Sequence, residues 1–198
     1  MRDTRKIVQA LTYFASKQKG HELDNMKAYK LLWLADRSHL RLYGRSITND
    51  TYYAMPFGPV PSDAKQLLEN HATHLANDVE YNNSYIQTLG KKHKAIKEPD
   101  MRVFSDSDRE VLDKVIRSFN GLSAKELSDF SLTFPEWKKY QTLIDDKETK
   151  KSYPIDVDLF FEPSEATTFF DESPEILTLT QELYHQYNRP AAPLHLPR

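Results

Sequence analysis

The sequence predicts a mainly α-helical fold of the α+β kind: a compact bundle of five to seven helices with a small antiparallel β-sheet or hairpin. Three observations predict it. Apolar residues recur at helical spacing in successive segments, beginning with Ile7, Ala10, Leu11 and Phe14. Only 5 glycines occur in 198 residues, so long glycine-rich loops are absent. One segment, Arg45 to Met55, breaks the helical pattern, because Ile47, Tyr52 and Tyr53 favour extended backbone.

The elements follow in order. A first helix covers Thr4 to Lys17 and stops before Gly20. A second starts at Asp24, a good N-cap, and runs to about Leu42, with Gly44 just past its end. Around Leu31 to Ala35 this helix is apolar over much of its circumference, which predicts a central helix buried on more than one side. From Met55 to Pro61 three prolines fix φ and forbid helix, predicting a rigid, irregular loop. A third helix begins at Ser62 or Asp63 and uses Ala64, Leu67, Leu68, His71 and Leu75. Glu80 to Leu89 reads as one or two short strands, with the sheet expected between Arg45 and Leu89, and Lys91 to Lys94 reads as an exposed basic turn. Phe104-Ser105-Asp106 opens a fourth helix carrying Val111, Leu112, Val115, Ile116 and Phe119, closed by Gly121. Ser123 stands three residues before Glu126, a capping box that starts a fifth. Pro135-Glu136-Trp137 begins another helical turn, and Asp145 to Lys151 reads as a solvated loop. A last helix is expected over residues 173–187, with Pro174 in its first turn, ahead of a mobile, proline-rich end.

Composition narrows the function. With no cysteine, disulfides, thiol catalysis and cysteine-based zinc sites are excluded. A formal net charge of -2 disfavours a protein living on phosphate contacts, so nucleic acid is not the expected partner. The longest apolar run, Leu31 to Ala35, is far too short to span a membrane, and the first residues read as the start of an amphipathic stretch, without the apolar core and small-residue cleavage site expected of a signal peptide. A cytoplasmic protein is expected. The sequence has no Walker loop, no dinucleotide-binding glycine pattern, no H-E-x-x-H and no G-x-S-x-G, so neither a catalytic residue nor a cofactor is assigned. His71 and His74 share a helix face but lack a third ligand, and no metal is assigned. Lys91, Lys92, Lys94 and Lys97 read as a solvated hairpin tip rather than a phosphate site.

The ordered set Lys30-Leu31-Leu32-Trp33-Leu34-Ala35-Asp36, Tyr43-Gly44-Arg45, Asp50-Thr51-Tyr52-Tyr53-Ala54 and Gly58-Pro59-Val60 resembles the core signature of the Panacea (SocA-like) antitoxin domain. The Phe104-Ser105-Asp106 helix, the Leu122 to Ser128 segment and Trp137 match in order and spacing, so the resemblance runs from about Ile7 to about Phe161. The family often carries a histidine where this sequence reads Ser131-Leu132-Thr133-Phe134. The resemblance implies a phage-associated or bacterial antitoxin that binds a cognate toxin, often encoded by the adjacent gene. The alternative it implies is an adaptor delivering the toxin to a Clp-type protease. A DNA-binding autoregulator and an unrecognised enzyme are further rivals.

On this basis residues 1–161 form the antitoxin domain and residues 162–198 an extension. The extension continues an acidic stretch without lysine or arginine that begins after Lys151, interleaved with paired phenylalanines. The residues proposed to meet the toxin are Tyr52, Tyr53, Phe57, Pro59 and Val60 around the stiff loop, and Phe160, Phe161, Phe169 and Phe170 beside the acids. A rigid loop presents apolar contacts at small entropic cost, and acids around aromatic anchors complement a basic partner. The loop equally serves as a stiff turn aligning the strands, and the phenylalanines as core. Lys30, Asp36, Gly44, Ala54, Gly58 and Trp137 are assigned structural roles. Lys30 is expected to snorkel, and Asp36 to cap or to brace the Tyr52-Tyr53 segment.

Overall fold

The computed structural model describes residues 3–69, 76–164 and 167–188. Its axis is α2 (Asn25–Tyr43), in which every residue from Ala28 to Arg41 is buried. The Asp24 side chain accepts from the Met26 amide at its start, and Gly44 closes it in the left-handed conformation. Around this axis pack α1 (Thr4–Ser16), α5 (Asp106–Phe119), α6 (Ala124–Ser131) and α9 (Pro174–Asn188). Capping boxes at Ser105–Asp108 and Ser123–Glu126 start α5 and α6, so the local signals in the sequence set these boundaries. Shorter helices are α3 (Ser62–Leu68), α4 (Ala76–Tyr85), α7 (Pro135–Lys138) and α8 (Gln141–Asp145). The described residues hold nine α-helices, more than the five to seven predicted: α4 stands where short strands were expected, and α8 is a single turn too short to leave a periodic pattern.

Two small antiparallel sheets complete the mainly α architecture. One has the order β1-β5-β4, from Glu22–Asp24, Lys92–Ala95 and Ile86–Leu89, with Leu23 and Thr88 both opposite His93. The other has the order β3-β2-β6, from Gly58–Pro61, Tyr52–Met55 and Tyr153–Pro154.

Three sequence expectations are corrected here. The proline-rich segment is the tip and second strand of a β-hairpin, not an irregular loop. Pro59 and Pro61 are accommodated because β3 lies at the sheet edge, where a missing N–H breaks no ladder. Residues 80–85 belong to α4 rather than a strand, since Val79, Tyr81 and Tyr85 pack on the core and Gln9 donates to the Tyr81 hydroxyl at 2.7 Å. Within the basic stretch only the turn at Gly90-Lys91 is a loop, and His93 is buried on β5 with its ring against the Asn25 side-chain oxygen. His71, His74, Leu75 and the end from residue 189 lie outside the described residues.

Candidate functional site: a braced hairpin tip

The β2–β3 hairpin turns through Pro56 and Phe57, and three buried side chains hold it from behind. Trp137 donates its ring N–H to the Met55 carbonyl at 2.8 Å. Ser128 donates its hydroxyl to the Phe57 carbonyl at 2.8 Å. Lys30 donates Nζ to the Pro59 carbonyl at 2.7 Å. Every second carbonyl of the tip is thus tied to a different helix: α7, α6 and α2.

Lys30 is wholly buried, so it does not snorkel as expected. Burial pushes its amine down to about 7, which makes the Pro59 carbonyl its support in an apolar setting. Gly58 has φ +101°, and a Cβ there would stand 2.0 Å from Ser131 Oγ and 2.8 Å from Lys30 Nζ. Only glycine lets the hairpin sit this close to α2 and α6.

The base of the hairpin is fixed by Asp36. Its carboxylate accepts from the amides of Ile47 at 2.8 Å and Thr48 at 3.0 Å, from the Tyr52 hydroxyl at 2.8 Å, and from the Thr48 hydroxyl. Burial lifts this carboxyl above its usual range against the pull of these donors. Behind α7, Glu136 accepts from Arg37 Nε at 2.9 Å and from the Trp33 ring N–H at 3.1 Å, all of it buried. The turn that places Trp137 under Met55 is therefore itself anchored to α2.

What this framework presents is Phe57, whose side chain is 64% exposed. Beside it a groove of about 570 Å³ runs between the hairpin and the first turns of α2 and α3, floored by Met26, Tyr29, Met55 and Val60. Its rim carries Lys65, in an ion pair with Glu69, and Lys91. Such a site can receive apolar side chains of a partner. Among the described residues no group of three or more histidine or acidic side chains could hold a metal.

The contact residues named from sequence are separated by the fold. Phe57 is outward, Tyr53 is half-buried opposite Val60, and Phe169 is half-buried between Phe119 and the Lys114 ammonium. Tyr52, Pro59, Val60, Phe160, Phe161 and Phe170 are buried, which corrects their expected place on a partner-facing surface. For Pro59 and Val60 the cause is the packing of β3 on α2 and α6, and for the others it is the residues after Val157, which fold back over α2. Tyr52 meets Phe160 edge-on at 5.6 Å, and Phe170 covers the Arg37 guanidinium at 4.3 Å. Ala54 is buried on β2, and Gly44 is approached so closely by α9 that a Cβ would lie 2.6 Å from the Thr180 carbonyl oxygen.

Sequence reasoning missed Ser128, Ser131, Arg37, Arg41 and Glu136. The two arginines carried a usable signal, since cations four residues apart on a helix otherwise apolar all round need internal partners. Arg41 finds them in the carbonyls of Phe160, Phe161, Glu162 and Phe170 and in the Glu172 carboxylate at 2.7 Å.

Fold and site together define a helical module that holds a rigid hairpin tip out to solvent. Residues 29–138 match the family model described as Antitoxin SocA-like, Panacea domain, and the chain belongs to that family. The matched span contains Lys30, Asp36, the whole hairpin, Ser128 and Trp137, and it ends before the acidic extension. No curated protein and no solved structure matches the chain.

Proposed function

We propose that this chain neutralises a cognate toxin by direct protein–protein binding, with Phe57 and the adjoining groove as the central contact. Membership of the antitoxin-like family supports the partner class. The observation that carries the site is Phe57, a large apolar side chain left 64% exposed on a hairpin tied at three carbonyls. An aromatic held in its bound geometry loses little entropy on association, which is what a binding hot spot requires. In this role the chain acts stoichiometrically in the cytoplasm, without a cofactor, on a toxin encoded by a neighbouring gene. No helix among the described residues is long and apolar enough to cross a membrane.

The test is co-expression with the neighbouring gene product. The wild type co-purifies with it and restores growth; Phe57→Ala folds normally and weakens the complex by about 2–4 kcal/mol, enough to lose rescue. If the variant binds and rescues like wild type, the groove is not the contact. Delivery to a Clp-type protease is distinguished by the toxin's half-life, which falls in the presence of the chain only if the protease is also present.

A further inference from the structure

The last helix, α9, packs only one side of its surface. Thr180 is buried and donates to the Arg41 carbonyl at 3.0 Å, and Tyr184 packs against Phe161. The neighbouring edge is a stripe at Ile176, Leu179, Leu183 and Tyr187, spaced three and four residues apart and therefore on one helix face. Ile176 is 44% exposed, Leu179 58% and Tyr187 75%, while Leu183 is half-buried against Gly44. These are the large apolar side chains that a soluble helix ordinarily turns inward.

The surrounding charge selects the occupant. Between Ser152 and Asn188 the sequence carries eight carboxylates and no lysine or arginine, although the whole chain is nearly neutral. Some of these acids are engaged internally: Glu172 with Arg41, Asp156 with Lys139, and Asp158 with His185. Glu175 and Glu182 lie on α9 itself and face solvent, and Asp171 lines the same shallow hollow as Ile176. Lys114, also at that hollow, donates to the Phe169 carbonyl at 3.2 Å. A second copy of α9 is a poor occupant, because pairing the stripes would set carboxylates against carboxylates with no lysine or arginine on either described helix. A partner with lysines or arginines flanking an apolar strip complements both features.

We propose that the exposed stripe of α9, with Glu175, Glu182 and Asp171, is a second docking surface, separate from the hairpin groove, for a basic amphipathic helix of a partner protein. The apolar strip supplies contact area, and the acids supply orientation and a salt-sensitive encounter rate.

The probe is a model helix of about 18 residues built from leucine and lysine, with a leucine and glutamate helix as its counterpart. Both are titrated into the full isotope-labelled chain and followed by amide chemical shifts. The expected result is shifts confined to α9 with the lysine helix and none with the glutamate helix. Affinity falls about tenfold or more in Leu179→Glu, a substitution at an exposed position that leaves the circular dichroism unchanged, and by a smaller factor in the Glu175→Gln, Glu182→Gln double variant. Phe57→Ala leaves it unchanged, so failure here is distinguishable from failure of the hairpin as toxin contact. Equal binding of the two helices, shifts centred on the hairpin, or a dimer in sedimentation that Leu179→Glu disperses would each overturn the proposal, the last by making the occupant a second copy.

Discussion

Lys30 couples the hairpin to pH. In the unfolded chain its amine has the ordinary value near 10.5, and in the folded chain burial lowers it to about 7. Below about 7 both states are protonated and the folded state carries the full cost of a buried charge. Between about 7 and 10.5 the unfolded state binds the extra proton, so the contribution of Lys30 to stability climbs as pH rises through this window. Lys30→Met keeps the length and loses both the titration and the hydrogen bond to Pro59. The stability of wild type relative to Lys30→Met should therefore rise by on the order of 3 kcal/mol from pH 7 to pH 10, read from urea midpoints. A difference that stays flat across that range would show that the amine is not desolvated in the folded chain.

At the scale of the element, the hairpin is held by backbone contacts that a single methyl group disrupts. Gly58→Ala places a Cβ 2.0 Å from Ser131 Oγ at a φ of +101°. A loss of about 2–4 kcal/mol is expected in chemical denaturation, from strain and steric overlap together. Adding Ser131→Ala should recover the overlap with Oγ and leave the backbone strain and the 2.8 Å approach to Lys30 Nζ, so a double variant as unstable as the single one would contradict the geometry. This element also marks the limit of what the sequence discloses. The caps at Asp24 and Ser123 were legible because the donors and acceptors lie within three residues of one another. The hairpin was mistaken for an irregular loop because prolines exclude helix but do not reveal a sheet edge. That edge exists because β6, about a hundred residues later, pairs with the opposite side of β2. The burial of Lys30 was hidden for the same reason, since its acceptor is the carbonyl of Pro59 and nothing near it in sequence announces the contact. Phe57 was named as a contact from its neighbours' stiffness. Its company was not separable, because alternation along a short strand does not say which face the later chain will cover.

At the scale of the molecule, the boundary expected after Phe161 cuts through a set of buried interactions. Arg37 and Arg41 stand on the family-matched helix α2, yet Arg37 donates to the Glu162 carbonyl at 2.8 Å and is covered by the Phe170 ring. Arg41 reaches Glu162, Phe170 and Glu172. Two cations in the centre of a helix bundle are stabilising only while their partners are present; losing partners to truncation removes hydrogen bonds to charged groups and the apolar cover of Phe170 and α9 at once. A chain ending at Phe161 should accordingly be less stable than the full chain by at least about 3 kcal/mol in urea, with a smaller denaturant slope because less surface is buried. In the full chain Arg41→Ala should produce a loss of similar order, since it strips the same carbonyls of their donor while leaving α9 in place. Were the shortened chain to unfold at the full-length midpoint, the extension would be an appendage and its acids free to serve the partner alone. With the expected loss, the extension has two roles: its inner face completes the core around the arginines, and its outer face, carrying the stripe and the exposed acids, remains available for recognition.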